Sequence, residues 1–545
     1  MIKINLNGAF KKFAEIDRNK RLQYLLLASI TLLAAVLRFY KLGEWSFWID
    51  EIFTVEVSQG PAIYSFAWPR ISIMLIGTAL RVLGISEWSA RLAPALIGVI
   101  SIPILYFPVR KMYGSGVALT ASILLTISPW HLFWSQNVRF YTSLMLLYTL
   151  ALLFFHYALE EDRPGYMILS LIFFASAALE RYTALFFVPV VLVYLLLLKV
   201  VRSEKPPGLR FRNLLIFLLP FIAVVIIELY SYISSGTFQF FRDFDWFFLY
   251  RNDDPIRLLG NISFNLGIPL IVLAIFSGVF LLIKKNHAGL LMISGAVVPT
   301  VILIAANPFI FTKDRYVFIT LFSWVILAAY GINELIKSTD WLHRWLAVAV
   351  LMILFFDAAS DSLLYYKVNN GNRRDWKGAF ALVQQRGREG DDVVMWWPEL
   401  GHYYLNKEII AWRDIDPETV VRSGKRFWFV TDSETVWGNT RMKQWVEQNA
   451  ELVEVFYLRL PDDFSLRVYL YDPARNETAD KSNIEPCILC LTVISTTDKR
   501  AVSDWIDREK PKHRPATKTS GNYSGICVGS RTDFKNWIQW LSGLY

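Results

Sequence analysis

Cysteine and charge are both scarce in this chain of 545 residues. Its three cysteines, Cys487, Cys490 and Cys527, all fall in the last 60 residues, so no disulfide framework staples the bulk of the fold. Cys487 and Cys490 have the spacing of half a zinc or redox site. No second pair follows, which favours a structural or incidental role. Charged residues make up only 19% of the chain, against roughly a quarter in soluble domains. Hydrophobic residues make up 54% and aromatics 15%, and the mean hydropathy is +0.36. That balance excludes a string of about three or four soluble domains, the expectation from length alone. It indicates a polytopic membrane protein. The net charge of +9 calls for no nucleic-acid partner, because Lys and Arg on cytoplasmic loops set topology. No cleavable signal peptide is evident, and residues 1–21 read as a basic cytoplasmic segment.

What is present is a series of long apolar segments. A helix needs roughly 20 apolar residues to cross the hydrocarbon core. Eleven segments qualify, near 22–40, 91–109, 117–135, 141–158, 166–181, 184–201, 213–232, 258–283, 288–306, 317–335 and 343–357. The loops between them alternate. One class is basic: Lys11 to Arg21; Arg110 and Lys111; Arg163; Lys199 to Arg212; Lys284 and Lys285; Lys337 and Arg344. The excess of Lys and Arg places that class in the cytoplasm. The N-terminus is then inside and everything after residue 358 outside. The stretch 71–84 is too short to span and carries Arg81, so it belongs to a long first external loop, 41–90, with interfacial helices. From about 372 the pattern becomes that of an α/β domain, running to 474 and containing four short strands. Residues 475–545 are polar and rich in Pro, Gly and Lys, as in an irregular tail. The fold class expected is a mainly α membrane protein of about eleven transmembrane helices with a C-terminal external α/β domain.

The ionisable residues at span ends then sort onto one rim. Arg38, Asp50, Glu51, Arg91, Arg139, Glu180, Arg181, Glu228, Asp243, Asp245, Asp314 and Arg315 all come out on the external side, although Arg is disfavoured there. A charge at the bilayer centre costs about 2.5–3.5 kcal/mol, less near the interface. Such a set points to chemistry at the outer membrane surface. The arginines sit beside tyrosines, in Arg139 with Tyr141, Arg181 with Tyr182 and Arg315 with Tyr316. Arg offers a fixed fork of donors for phosphate, and Asp or Glu accepts a proton. Asp50 and Glu51 are the candidate acids, with Trp45, Phe47 and Trp48 expected as their interfacial anchor and Arg91 as a helix cap. Asp243-Phe-Asp245 is a metal-type Asp-x-Asp that leaves a divalent cation, Mg or Mn, an open expectation.

Several stretches resemble the integral-membrane glycosyltransferases of the GT-C type. Within them the chain is similar to the branch of protein mannosyltransferases, aminoarabinose transferases and rhizobial core transferases. The resemblance lies in "LRFYKLGEWSFWIDE" (37–51), "LGISEWSARLAPALIGVISIPILYFPVRKMYG" (83–114), "ISPWHLFWSQNVRFYTSLMLLYTLALLFF" (127–155), "ERYTALFFVPVVLVYLL" (180–196) and "DRYVFITLFSWVILAAYGI" (314–332). It implies a GT-C bundle that takes a sugar from a polyprenyl phosphate to a glycolipid, glycan or protein acceptor. Transfer is expected at the outer face of a cell membrane, with inversion. It implies that Asp50 is the base, Glu51 its partner, and Arg315 and Tyr316 the donor-phosphate pair, assisted by Arg181, Arg139 and Tyr141. Where many relatives carry His-Pro-Pro this chain reads "WPRIS" (68–72), so no acceptor contact carries over there. The rivals are a lipid-linked glycan transporter, which needs a polar path through the spans, and a polysaccharide polymerase or ligase, which lacks an early acid pair.

Overall fold

A computed structural model describes residues 18–60, 71–235, 254–432, 440–457 and 465–476. Helix α1 (Arg18–Phe39) leads to two shorter helices, α2 (Ile49–Gln59) and α3 (Ile71–Leu83). The long α4 (Glu87–Tyr113) follows, then the bent pair α5 (Ser115–Ile127) and α6 (Pro129–Ser135). Next come α7 (Tyr141–Glu160), α8 (Pro164–Glu180), α9 (Phe187–Val200) and α10 (Phe211–Ser235). A second bent pair, α11 (Pro255–Leu266) and α12 (Ile268–Ile283), precedes α13 (His287–Ala306), α14 (Leu321–Lys337) and α15 (Trp341–Lys367). Among the described residues, eight segments are long and apolar enough to cross a membrane, or ten if each bent pair is one span; α8 is a shorter apolar helix.

Two breaks and one extension correct three expected spans. The segment 258–283 is two helices meeting at 91°, not one. The turn is made at Gly267, whose φ of +85 suits glycine, and Pro269 follows in the first turn of α12. The segment 117–135 bends by 62° at Ser128–Pro129. Pro129 has no N–H to give the Leu125 carbonyl. Arg38, fully buried, supplies the missing donors to the carbonyls of Leu125 and Thr126, each at 3.2 Å. The last span is longer than 343–357, running 27 residues.

The basic loops form one end of the bundle. Arg110 donates to Tyr24, Lys111 pairs with Glu161, and Asp162 accepts from both Arg210 and Arg212. His287 bridges Glu160 and Ser203, while Lys284 and Lys337 share Glu334. Alternate loops therefore do meet at a common end, as their alternating charge requires. Because lipid tails are as apolar as Leu, spans associate through packing and hydrogen bonds, as where Asn333 donates to Thr120 at 2.9 Å.

At the other end sits the α/β domain. It begins with α16 (Trp376–Arg386), capped by Asp375, whose side chain accepts from the Gly378 N–H. Then come β1 (Asp392–Met395), α17 (Pro398–Leu405), β2 (Ile410–Ala411), α18 (Pro417–Ser423), β3 (Phe427–Thr431), α19 (Thr440–Asn449), β4 (Glu451–Phe456) and β5 (Leu466–Tyr471). The sheet order is β2-β1-β3-β5-β4, with β1 parallel to β2 and β3, and β5 antiparallel to β3 and β4. Central β3 is buried on both faces. One face packs Phe427 and Phe429 with Val446 of α19. The other joins Trp428 and Val430 to Phe47, Ile52 and Ile76 of the first loop in a single core. The domain is thus bolted to the loop between α1 and α4. Lys377 donates to the Gly43 and Glu44 carbonyls and pairs with Glu87 at 2.9 Å, and Tyr404 also donates to Glu87.

Gly371 makes the corner between α15 and this domain at φ +63, and a Cβ there would lie 2.6 Å from the Trp45 ring. Gly371→Ala is expected to cost at least about 1–2 kcal/mol from the backbone alone. A lowered thermal midpoint of the detergent-solubilised protein is the measurement, and an unchanged midpoint would contradict this packing.

Candidate active site

Asp50 and Glu51 fall in the first turn of α2, where carboxylates face the positive end of the helix. Neighbouring residues on a helix point about 100° apart, so the two acids part company. Glu51 turns inward and is fully buried. Both its oxygens accept from Arg91, at 3.0 and 2.8 Å, in a bidentate pair. The Val138 N–H adds 2.8 Å, and Arg373 approaches to 3.5 Å. Burial alone pushes the Glu51 carboxyl up. The Arg91 and Arg373 guanidiniums outweigh it and hold the group below the ordinary range. Arg91 spends its remaining donors on the carbonyls of Leu42, Trp45 and Ser46. It is an internal clamp, not the helix cap expected.

Asp50 turns outward and stays a quarter exposed. Arg139 and Arg315 converge on its Oδ2, at 3.7 and 3.4 Å. Arg139 is fixed by donating to the Asp50 carbonyl and to Thr54, both at 2.9 Å. Arg315 lies over the Trp48 ring, 5.5 Å from its centroid, in the range of a cation–π contact. Trp48 is itself held by donating to Asn137. Arg315 stands in the 3-10 turn Asp314–Thr320, whose Asp314 accepts from Asn265 of α11 at 2.5 Å. The right-angle break at Gly267 therefore helps aim Arg315.

Arg181 caps α8 and donates to Tyr182 at 2.7 Å, and its guanidinium lies over the Phe140 ring. It does not reach Asp50 in an ion pair. It shares the neighbourhood through Tyr316, which lies within electrostatic reach of Arg315, Tyr141 and Arg181. Tyr141 and Tyr316 are both buried. The structure so gathers Asp50, Arg139, Arg315, Tyr141, Tyr316 and Arg181 in one cluster, with Glu51 immediately behind it. Arg139, Arg181 and Arg315 each keep an Nε–H that is buried without a partner. Three such donors around one half-open carboxylate suit an anion with several oxygens.

Other expectations are corrected. Trp45 and Phe47 are not interfacial anchors, because both are buried, packed on Tyr365 and on Tyr403 of the α/β domain. Glu180 stays at this end of the bundle but turns inward to accept from the N–H and hydroxyl of Ser72, tying α3 to α8. Asp243 and Asp245 lie outside the described residues, and among the described residues no three His, Cys, Asp or Glu side chains gather as metal ligands. Two residues escaped the sequence reading. Gln136 donates to the Arg38 and Tyr40 carbonyls at the end of α1 and accepts from Trp45 and Tyr365. Arg373 donates to the Gln136 carbonyl at 2.7 Å. Neither has a spacing that marks it.

The helical bundle with its docked α/β domain has a GT-C-type, ArnT-like fold, as its likeness to solved structures shows. The structure resembles ArnT from Cupriavidus metallidurans in the apo state, with TM-score 0.50 and 14% identity over 83% of this chain and 98% of that one. ArnT bound to undecaprenyl phosphate aligns with TM-score 0.50 and 13% identity, covering 82% and 97%. The archaeal oligosaccharyltransferase AglB from Archaeoglobus fulgidus, in complex with an inhibitory peptide and a dolichol-phosphate, gives 0.51 and 12%, covering 80% and 73%. In sequence, residues 69–227 match the model of the dolichyl-phosphate-mannose-protein mannosyltransferase family, under a third of the chain. No curated protein matches it significantly.

Glu51→Gln keeps the shape but leaves Arg91 and Arg373 uncompensated, at an expected cost on the order of 3–5 kcal/mol. The depressed carboxyl also sets a direction. Its stabilising contribution is full above the ordinary glutamate range and fades as pH falls toward the lowered native value. Thermal midpoints of wild type should drop through that acid window. Those of the variant should lie lower above that window, lack this component, and approach wild type below it.

Proposed function

We propose that the chain transfers a hexosyl or pentosyl group from a polyprenyl-phosphate donor to an acceptor hydroxyl, at the external face of the membrane. The observation that carries this is the single carboxylate of Asp50 flanked by Arg139 and Arg315, with Arg181 behind them and three buried Nε–H groups unpartnered. The bonded basic loops at the opposite end of the bundle support placing this cluster on the external side. The ArnT and AglB structures named above, which hold undecaprenyl phosphate and dolichol-phosphate, support a lipid-phosphate donor.

In the proposed reaction the acceptor oxygen attacks the anomeric carbon from the face opposite the lipid phosphate. Its proton passes to Asp50. The bond between the anomeric carbon and the phosphate oxygen breaks, and polyprenyl phosphate leaves with the electron pair. One displacement inverts the anomeric centre. The leaving phosphate is a weak base, so charge stabilisation by Arg315, Arg139 and Arg181 replaces a general acid. Tyr141 and Tyr316 orient those guanidiniums. Glu51 holds the turn that aims Asp50. A divalent cation would add Lewis-acid stabilisation of the phosphate. Among the described residues no three His, Cys, Asp or Glu side chains gather to hold one, and two arginines already face Asp50.

Asp50→Asn is expected to lower kcat by about 10²–10⁴-fold, the usual worth of a positioned base. Arg315→Ala should lower kcat/KM by about 10²–10³-fold. The assay is transfer by the reconstituted protein from a panel of synthetic polyprenyl-phosphate sugars into membrane extract. Full transfer by Asp50→Asn would remove Asp50 from this role.

A further inference from the structure

The donor phosphate has an evident place among the arginines, whereas nothing above says what accepts the sugar. The arginines take one side of Asp50. The outward stripe of α2 leaves from the other side, through Phe53 and Val57 at i+3 and i+7. Phe53 is exposed by 37% although apolar. It faces Trp397 of the external domain, ring centroids 6.3 Å apart and 84° between planes, and Trp396 stands 6.2 Å further along. Around this aromatic step are Glu56 of α2 and Glu399 and His402 of α17, within electrostatic reach of one another. Burial and the nearby Glu399 push the Glu56 carboxyl up, while His402 draws it down. One oxygen of Glu399 is buried with no hydrogen-bond partner.

We infer that this step between α2 and α17 is the acceptor subsite, and that it takes a neutral or amino-bearing saccharide. The inference rests on the transfer chemistry proposed above. A sugar ring offers a C–H face to an aromatic side chain and a dense set of O–H donors at its edge. The walls here are mostly acceptors, two carboxylates against one imidazole, so a ligand rich in donors is satisfied by them. A peptide carries one carbonyl for every N–H and would leave carbonyls unpaired, at the usual desolvation cost. An acidic sugar would meet two carboxylates and be repelled. The same α-helix carries Asp50 one turn before Phe53, so a ring resting on the step presents a hydroxyl toward the base. The α/β domain supplies Trp397, Glu399 and His402, which gives it a part in substrate selection.

The test uses full-length protein in nanodiscs with four probes: a p-nitrophenyl hexoside, its 2-amino analogue, its uronic acid analogue and a Ser/Thr peptide. Saturation-transfer NMR without donor should show binding of the first two only, and Phe53→Ala and Glu56→Gln should abolish it. Both positions are exposed, so the variants fold. With donor present, the same variants should raise the acceptor KM by about tenfold, leaving the donor KM unmoved. The inference is overturned if the peptide or the uronic acid analogue binds as well as the hexoside, or if both variants bind like wild type. Hexoside binding with no transfer from any donor upholds the subsite and sinks the transferase reading.

Discussion

The buried ion pair of Glu51 with Arg91 is the constraint on which the rest of this end of the molecule depends. Two charges with no solvent exposure are tolerable only when every donor and acceptor is met. Here the guanidinium is shared among one carboxylate and three carbonyls of the segment after α1, while the carboxylate also takes the Val138 N–H and approaches Arg373. Four pieces of chain, distant in sequence, are therefore fixed at one point. Asp50 is the residue next door. Its orientation is inherited from a neighbour that cannot move without exposing a buried charge.

The α/β domain is part of that arrangement. Arg373 enters the junction, Lys377 and Tyr404 hold the loop and Glu87, and the sheet's inner face shares a core with α2 and α3. An appended module would leave its own surface polar at the boundary. Here Trp376 and Phe380 are buried against residues that the first external loop provides. The domain thereby walls the outward side of α2 and limits what reaches Asp50 from that direction.

Broken helices supply the remaining geometry. A continuous helix satisfies its own backbone, and each break leaves carbonyls to be met. Arg38 meets those at the bend between α5 and α6, and Gln136 those at the end of α1. In an apolar bundle such side chains are held firmly, because the alternative is an unsatisfied group away from water. The bend between α11 and α12 places Asn265 against Asp314, beside Arg315. These bonded side chains stand behind the cluster in which Arg139, Arg181 and Arg315 each keep an unpartnered Nε–H.

Hydropathy and charge alternation determined the polytopic class, the span order and the gathering of basic loops at one end, because lipid imposes length and polarity one segment at a time. The strands of the α/β domain were legible for the same local reason, except β2, whose two residues carry no pattern. The rim charges were legible as a set, and Asp50, Arg139 and Arg315 could be named from it. Only the tertiary structure separated Asp50 from Glu51, since adjacent residues share every sequence signal and differ in which side of a helix turn faces the core. It also turned Trp45 and Phe47 inward, split 258–283 at Gly267, and brought Arg373 beside Glu51 and Trp397 beside Phe53. Those outcomes depend on contacts between residues up to hundreds of positions apart, as Arg373 to Gln136 illustrates. No local propensity encodes such pairings; packing density and the need to pair every buried polar group decide them.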